Sequence, residues 1–438
     1  MGNNNENIIS FQFSVKFSSF QRIKKVFLSL FFSFPSSILA LVLLLVLSYN
    51  GSRIFCLNLP FSLESDTLFS SSSSSSTSSL MYSVKEDIPP PSKLKTHLPL
   101  VQKSSSSSSS SKVLRKAVFK IFKPTPLSKQ FSVRAKEFFH GTSNSSSSYC
   151  KLRFFMTWIS SLDSFGDREL LSIESVFKSH PNACLLIISA SMDSKQGLEL
   201  LQPFTDKGYR VLAISPNFDY IFKKTFAEAW FDRLRKGSVD PGEVSLGQNI
   251  SNLLRLAVLY KFGGIYIDTD VLVLKNLSKL RNTIGAQTID LETRNWSRLN
   301  NAVLIFDKKH PLLEKFIQEF ALTFNGNRWG HNGPYLVSRV VSKMGTNPGF
   351  NYTVLPPLAF YPVDWSRIQS LFRSYGTGGR SADSKWYTGK LNQIRQKSFA
   401  LHLWNKQSRS LKIEDGSIIH HILMDCCIFC NNSSVSAL

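Results

Sequence analysis

Acidic residues are scarce in this sequence of 438 residues, which has 30 Asp and Glu against 52 Lys and Arg and a net charge of +22. Residues 112–136 contribute strongly, with eight Lys or Arg and no acid. Phe119, Phe122 and Phe131 lie among these basic residues, a pattern compatible with nucleic-acid binding. The luminal location inferred below excludes that partner. Residues 112–136 are therefore expected either to be solvated or to lie on a membrane or on the domain that follows.

Charged residues are absent from residues 26–52, whose centre reads "SILALVLLLVLSY". Roughly 20 apolar residues in a helix suffice to cross a bilayer, which predicts a membrane anchor at 26–49. Basic residues precede this run, so the positive-inside rule places the tail, residues 1–25, in the cytosol and the C-terminal bulk in a lumen. A cleavable signal peptide is the alternative, but the run is long for one and lacks an A-x-A cleavage site.

Apolar patterning is missing from residues 50–149. This region contains serine runs at 70–76, 104–111 and 145–148, together with three consecutive prolines at 89–91. Such a composition buries too little apolar surface to offset the entropy of ordering, which predicts a disordered, Ser-rich stem.

Cysteine is also sparse, with six residues in the whole chain. In an oxidising lumen these cysteines are expected to form disulfides, although the sequence does not reveal their pairing. The terminal "CCIFC" (426–430) lacks a second ligand pair at zinc spacing, so a zinc site there is disfavoured.

The remaining residues, from 150 onward, alternate strand and helix patterns. Strands are predicted at 152–158, 183–189 and 209–215, and a helix at 167–180. This alternation is typical of an α/β fold with a parallel sheet flanked by helices. A further helix is expected from 246 to 260, ended by Gly263 and Gly264 before a strand that reads "GIYID".

The segment "YIDTDVLVL" (266–274) has no Gly, Pro or Asn, which argues against a surface hairpin with an acidic tip. On a strand, Asp268 and Asp270 would project to the same side, where two carboxylates repel each other unless a cation lies beside them. A hard divalent metal with oxygen ligands, at the carboxyl end of a sheet strand, satisfies both residues.

Two chemistries use such a pair. One is transfer of a sugar from a nucleotide-sugar, and the other is a phosphatase of the haloacid-dehalogenase type, in which the first Asp is the nucleophile. The phosphatase requires further acidic residues downstream, and the chain has no Asp-Asp pair, which disfavours it. A non-catalytic, membrane-anchored carbohydrate-binding protein is a third interpretation.

Several segments together resemble one family. They are "SNLLRLAVLYKFGGIYIDTDVLVLKNL", "LNNAVLIFDKKHPLL", "FNGNRWGHNGPYLVSRV", "LPPLAFYPVDW" and "ALHLWNK". In this order and spacing, from residue 152 to about 421, the chain resembles the α-1,4-galactosyltransferase and α-1,4-N-acetylglucosaminyltransferase family (glycosyltransferase family 32).

The resemblance implies a GT-A glycosyltransferase fold and a single-pass type II protein of the Golgi membrane. It further implies Mn²⁺ or Mg²⁺ as cofactor, a UDP-sugar donor, a glycan or glycolipid acceptor, and transfer with retention of anomeric configuration. Residues 150–295 would be the nucleotide-sugar-binding half and residues 296–438 the acceptor-side half.

The resemblance also suggests roles for individual residues. Asp268, Asp270 and Arg255 are the expected catalytic residues, with Asp268, Asp270 and His402 as metal ligands. His402 could equally be a core residue, and Arg255 a buried cap of its helix. The expected donor-binding residues are Ser251, Asn252, Arg255, Tyr266 and Asp268. Relatives often have Asp where this chain has Asn252, which leaves the donor sugar open.

The acceptor is expected to contact Asn300, Asn301, Trp329, His331 and Asn332. Trp329 could stack on a sugar face. The alternative for the "WGHNGP" loop (329–334) is that these residues serve turn formation around Gly330 and Gly333.

Overall fold

A computed structural model of the chain describes residues 124–141, 150–345, 348–374 and 381–430. The predicted cytosolic tail, the anchor at 26–49 and most of the predicted stem lie outside these ranges. None of the helices within the described ranges has both the length and the apolar composition needed to span a bilayer.

Most strands form one seven-stranded mixed sheet, and two short strands form a separate ladder. The strands are Arg153–Thr157 (β1), Cys184–Ile188 (β2), Arg210–Ile214 (β3), Gly264–Ile267 (β4), Val271–Val273 (β5), Thr283–Ile289 (β6), Trp296–Phe306 (β7), Thr353–Leu355 (β8) and Ala400–His402 (β9). The order in the sheet is β3-β2-β1-β4-β7-β6-β8, and β5 pairs with β9. Strands β1 to β4 are parallel, as the alternating pattern predicts, and β7 runs antiparallel to β4 and β6.

Helices cover both faces of the sheet. They are Pro126–Lys129 (α1), Phe131–His140 (α2), Asp167–Ser179 (α3), Lys195–Asp206 (α4), Phe218–Phe222 (α5), Phe226–Arg235 (α6), Leu246–Phe262 (α7), Pro311–Thr323 (α8), Pro334–Met344 (α9), Ser381–Lys397 (α10), Asn405–Ser408 (α11) and Ile418–Cys426 (α12). Short 3₁₀ turns occur at Leu162–Ser164, Pro348–Phe350, Pro357–Ala359 and Ile368–Leu371.

Strand alternation divides the core into two clusters. In β1, Phe154 and Met156 join the cluster that contains α3 and α12, whereas Phe155 joins the cluster that contains α2 and α5 to α9. Successive side chains of a strand point to opposite faces, so a strand buried on both sides reads as a continuous apolar run. This explains why "ACLLIIS" and "LRFFMTW" were recognisable as internal strands.

The predicted halves, 150–295 and 296–438, are not separate layers. Strand β6 lies before the boundary and β7 after it, yet the two pair along their length in the same sheet. The boundary at 295 therefore falls in a connection between neighbouring strands.

The prediction of a disordered stem through residue 149 is wrong for residues 124–141. Helix α2 places Phe131, Ala135 and Phe139 on one stripe at a spacing of four residues, and all three are buried against the second cluster. Arg134 donates to both carboxylate oxygens of Asp193, at 2.8 Å each. Residues 124–136, the described part of the basic residues 112–136, therefore pack on the domain that follows, which is one of the alternatives predicted above.

Two disulfides are present in the described residues. Cys150 is bonded to Cys184 at the start of β2, and Cys427 is bonded to Cys430, while Cys426 is a buried free thiol. The expectation of disulfides is confirmed for these four cysteines and is wrong for Cys426.

Candidate active site

The two aspartates lie on a turn between two strands of different sheets. Strand β4 ends at Ile267, and the Val271 N–H donates to the Asp268 carbonyl at 3.1 Å before β5 begins. The expectation that both residues belong to one continuous strand is therefore wrong. The turn forms without Gly, Pro or Asn because each flanking strand is buried and paired with its own partner: β4 with β7, and β5 with β9.

This turn opens on a cleft of about 500 Å³. The carboxyl ends of β1 and β4 lie at this edge of the sheet, where α/β proteins characteristically bind ligands. Predicted residues that line the cleft are Ser251, Asn252, Arg255, Asp268, Asp270, Asn300, Asn301, Trp329 and His402.

Asp268 is held by Arg255 and Tyr266. Arg255 Nη1 donates to Asp268 Oδ2 at 3.0 Å and to the Asn301 carbonyl at 2.8 Å, and the Tyr266 hydroxyl donates to Asp268 Oδ1 at 2.7 Å. The guanidinium also lies over the Tyr266 ring, 4.6 Å from its centroid. Burial lowers the pKa of Arg255, but the charge and hydrogen bond of Asp268 together with Tyr266 and Tyr361 raise it overall, so Arg255 stays a cation.

Arg255 and Tyr266 therefore have roles that differ from the expected ones. Arg255 does not cap its helix, because α7 continues to Phe262 and Gly263 follows with a φ of 67°. Tyr266 is fully buried and does not line the cleft, so the prediction that it binds the donor directly is wrong. Its hydroxyl is shared between Thr157, at 2.8 Å, and Asp268, which makes it a support for that carboxylate.

Asp270 is held by the β5–β9 ladder. Val271 pairs with His402, and the Leu403 N–H donates to the Asp270 carbonyl at 2.8 Å, which brings the imidazole beside the carboxylate. His402 Nε2 lies 3.1 Å from Asp270 Oδ1, and the Asn405 N–H donates to Oδ2 at 2.9 Å. Burial raises the pKa of Asp270, but the charge and hydrogen bond of His402 and the Asn405 N–H bring it down to about 2.

The potential metal ligands in the cleft fit a hard divalent cation. One ligand atom from each of Asp268, Asp270 and His402 lies within 4.8 Å of the others. His402 Nδ1 is buried and has no hydrogen-bond partner among the described residues, so His402 is not the satisfied core histidine of the alternative interpretation. Carboxylates with one imidazole suit Mn²⁺, and Mg²⁺ prefers a set richer in oxygen.

Asn252 and Asn301 form an amide pair in the cleft wall. Asn301 Nδ2 donates to Asn252 Oδ1 at 3.0 Å. Gly333 allows this arrangement, since a Cβ at that position would lie 2.9 Å from Asn252 Oδ1. The side-chain amide of Asn300 already has protein partners, because it donates to Gln287 and accepts from the Ala302 N–H, each at 2.9 Å.

The structure corrects two acceptor predictions. Asn332 is buried and donates to Asn249 Oδ1 and to the Asn325 carbonyl, so its side chain organises the loop behind the cleft. His331 lies 2.8 Å from the Thr323 carbonyl and does not line the cleft. Turn formation therefore explains this part of the loop, whereas Trp329 does line the cleft and is 48% exposed.

The cleft residues that were not predicted include Trp404, Asn405, Lys406 and Arg409, which all follow strand β9. Trp404 has a φ of 54°, a conformation that a bulky residue adopts only under constraint, and it packs against His402 at 4.1 Å between ring centroids. The following residue is thereby turned so that its N–H reaches Asp270. The "HLWNK" segment contains a histidine, an aromatic and an amide after a short strand, but nothing in the sequence indicates the unusual backbone.

Two family models match the chain. "Glycosyltransferase sugar-binding region containing DXD motif" covers residues 166–289, and "Alpha 1,4-glycosyltransferase conserved region" covers residues 305–434. The first match includes both aspartates of the cleft, and the second includes His402. The chain belongs to the α-1,4-glycosyltransferase family.

Individual relatives of this chain are moderately similar to it. An uncharacterized protein of Arabidopsis thaliana is 33% identical over 65% of this chain and 43% of its own length. Lactosylceramide 4-alpha-galactosyltransferase of Mus musculus is 30% identical over 56% of this chain and 65% of its own length. The Pongo pygmaeus protein of the same name is 33% identical over 38% of this chain and 71% of its own length.

The chain thus spans less than two thirds of the first two relatives. Among solved structures, the galactosyltransferase LgtC in complex with donor and acceptor sugar analogues is 13% identical. The match covers 66% of this chain and 100% of the LgtC chain, with a TM-score of 0.33.

Proposed function

We propose that the chain is a metal-dependent, retaining glycosyltransferase that transfers a hexose or N-acetylhexosamine from a UDP-sugar to a glycan or glycolipid. The observation that carries this proposal is the convergence of Asp268, Asp270 and His402 beside Arg255 in one cleft. The named relatives are lactosylceramide 4-alpha-galactosyltransferases, which favours galactose as the donor sugar and a glycolipid as acceptor. N-acetylglucosamine is the second candidate donor sugar.

Asp268, Asp270 and His402 would hold the divalent cation, for which Mn²⁺ is the preferred candidate. When bound, such a cation supplies positive charge that stabilises a diphosphate leaving group. The protein contributes the fixed positions of the ligands, since both carboxylates are held by hydrogen bonds before any substrate arrives.

The cleft also supplies positive charge of its own. Lys406 and Arg409 line it. Arg409 is ion-paired with Glu169, whereas Lys406 forms no ion pair within the described ranges and its Nζ lies 4.4 Å from the centre of the Trp329 ring. We infer that Lys406 faces the diphosphate of the donor, because it directly follows Asn405, whose N–H donates to Asp270. Its charge would favour binding and departure of the nucleoside diphosphate.

The acceptor is expected at the exposed side of the cleft. Trp329 offers an apolar ring on which a sugar face can stack, and the Asn252–Asn301 amide pair offers hydrogen-bonding groups to a transferred sugar. Substitution of an amide for an acid at Asn252 keeps the acceptor oxygen and adds two donors.

Retention of configuration is proposed to occur by front-face attack. Asp268 and Asp270 are the carboxylates among the residues that line the cleft, and both are already engaged, so neither is available as a covalent nucleophile. The acceptor oxygen would bond to the anomeric carbon as the bond to the diphosphate breaks, and the diphosphate would take the hydroxyl proton. Trapping a covalent sugar adduct on the protein would contradict this step.

The proposed location is the Golgi membrane, in single-pass type II orientation, with the described residues in the lumen. The uncharged run at 26–52 and its basic flank support an anchor with this orientation. The disulfides Cys150–Cys184 and Cys427–Cys430 support an oxidising compartment.

The test is UDP release by the full chain in detergent, with Mn²⁺ and with UDP-galactose, UDP-N-acetylglucosamine, UDP-glucose or GDP-mannose. Release from one UDP-sugar, lost in Asp270→Asn, is the expected result. Phosphate release from phosphomonoesters without preference for UDP would instead identify a phosphatase. Metal-dependent UDP binding without turnover on any acceptor tested would identify a carbohydrate-binding protein.

A further inference from the structure

A second, larger cleft lies at the opposite edge of the sheet from the proposed active site. Its volume is about 980 Å³, and its walls include helix α2, the end of α7 and the turn after β7. Arg153, the first residue of β1, lines this cleft, whereas Thr157, the last residue, lines the active-site cleft. The two clefts are therefore separated by the length of a strand, about 15 Å.

Six lysines from four separate segments of the chain line this second cleft, which is called the lysine cleft below. They are Lys136, Lys223, Lys224, Lys261, Lys308 and Lys309. Within the described ranges, none of the six forms an ion pair with an acidic side chain. Glu137 is the acid in the wall, so positive charge predominates.

An aromatic ring positions one ammonium group of the lysine cleft without neutralising it. Lys261 Nζ lies 4.3 Å from the centre of the Tyr220 ring. A cation held by an aromatic face keeps its full charge. Burial, Lys308 and Lys223 lower the pKa of Lys261, which indicates mutual repulsion across the cleft.

The backbone at two corners of this cleft is strained. Lys224 has a φ of 62° and Lys309 a φ of 57°, in the left-handed region that lysine seldom occupies. Such conformations cost about 1 kcal/mol or more and concentrate where a site needs a particular side-chain direction. The Lys309 N–H donates to the Tyr260 carbonyl and the Lys224 N–H to Glu228, so both corners are held in place.

We propose that the lysine cleft is a binding site for a compact polyanion that carries several phosphate groups, either as a soluble molecule or as a lipid headgroup. A concave surface with six ammonium groups, none of them in an ion pair within the described ranges, matches clustered phosphates, which relieve lysine repulsion and accept several charge-assisted hydrogen bonds at once. Helix α2 places Lys136 in the wall, so at least one of the basic residues at 112–136 contributes positive charge to the lysine cleft.

The full chain in detergent is titrated with inositol hexakisphosphate by calorimetry, and its binding to phosphatidylcholine vesicles with or without phosphatidylinositol 4-phosphate is measured by flotation. The variant is Lys223→Gln/Lys308→Gln. The matched control is Lys195→Gln/Lys236→Gln, which removes two exposed lysines that do not line the cleft.

The expected result is binding of inositol hexakisphosphate, of the phosphoinositide vesicles, or of both, weakened at least about tenfold in the cleft variant and unchanged in the control. The calorimetric titration tests for a soluble ligand, and the flotation measurement tests for a lipid headgroup. Equal weakening in both variants would show non-specific attraction to a basic protein and would overturn the proposal. Binding of heparin with no binding of either phosphate probe would overturn it as well.

Discussion

His402 Nε2 lies 3.1 Å from Asp270 Oδ1, although the two residues are 132 positions apart in the sequence. The short ladder of β5 and β9 creates this proximity by pairing Val271 with His402. A segment near the C-terminus thereby completes a group of potential metal ligands begun by the turn after β4. The catalytic proposal depends on this ladder as much as on the two aspartates.

His402→Gln is expected to lower the affinity for Mn²⁺ at least about tenfold, because a metal ligand should matter no less than the residues that orient ligands. Calorimetric titration of Mn²⁺ into the full chain in the presence of UDP measures the change. His331→Gln is the matched control, since His331 does not line the cleft. An equal loss in both variants would contradict the assignment of His402.

Arg255→Met is expected to lower both stability and activity. The substitution leaves Asp268 without its guanidinium partner in a largely buried position, at a cost of about 3 kcal/mol in the free energy of unfolding. UDP release should fall at least about tenfold because Asp268 loses its orientation. Urea denaturation and UDP release measure the two effects, with exposed Arg233→Met as control; unchanged release in Arg255→Met would refute the positioning role.

The contact between Arg134 and Asp193 is expected to make the attachment of helix α2 dependent on pH. Burial raises the pKa of Asp193, but hydrogen bonds from Arg134 and the Ser215 N–H bring it below its ordinary value. The folded-state pKa is lower than the unfolded one, so this contribution is complete above about pH 4 and is lost as the pH falls through the folded-state value.

Asp193→Asn should therefore destabilise the chain by about 2 kcal/mol at pH 7 and have a much smaller effect at acidic pH. Thermal unfolding of the two proteins across this range provides the measurement. Asp206→Asn, which removes a carboxylate from an exposed part of α4, is the control. A difference between Asp193→Asn and the parent protein that does not shrink on acidification would contradict the prediction.

The disulfide between Cys150 and Cys184 is expected to stabilise the described domain. It closes a loop with a sequence separation of 34 residues, for which the chain-entropy estimate is about 4 kcal/mol. Cys150→Ala/Cys184→Ala should lower the melting temperature, whereas Cys427→Ala/Cys430→Ala, with a separation of 3, should have a smaller effect. The reverse order would contradict the prediction.

The parallel half of the sheet could be predicted because β1 to β4 are short, apolar and separated by helical patterns. The importance of Asp268 and Asp270 could also be predicted, since two carboxylates in an apolar context require compensation. The turn that holds them could not be predicted, because it is formed by the pairing of the two flanking strands and contains no turn-favouring residue. Helix α2 was missed because its three buried residues lie within a stretch dominated by charge and serine.

Side-chain direction explains the remaining errors at the site. Tyr266 and Asn332 belong to the same segments as true cleft residues, but each side chain points into the protein and supports a neighbour. Asn405 was missed because it contacts Asp270 through its backbone N–H. Every residue except proline has this group, so the type of residue at position 405 does not indicate the contact. Spacing along the chain identifies a segment near a site but not the direction of each side chain.

The most direct test of the central claim is Mn²⁺-dependent binding of UDP to the full chain, compared between the parent protein, Asp270→Asn and Asp290→Asn, an exposed aspartate outside the cleft. We expect UDP to bind only with Mn²⁺ in the parent protein and in Asp290→Asn, and we expect Asp270→Asn to lose at least about a hundredfold in affinity for UDP. Equally tight, metal-independent binding of UDP in all three proteins would contradict the central claim.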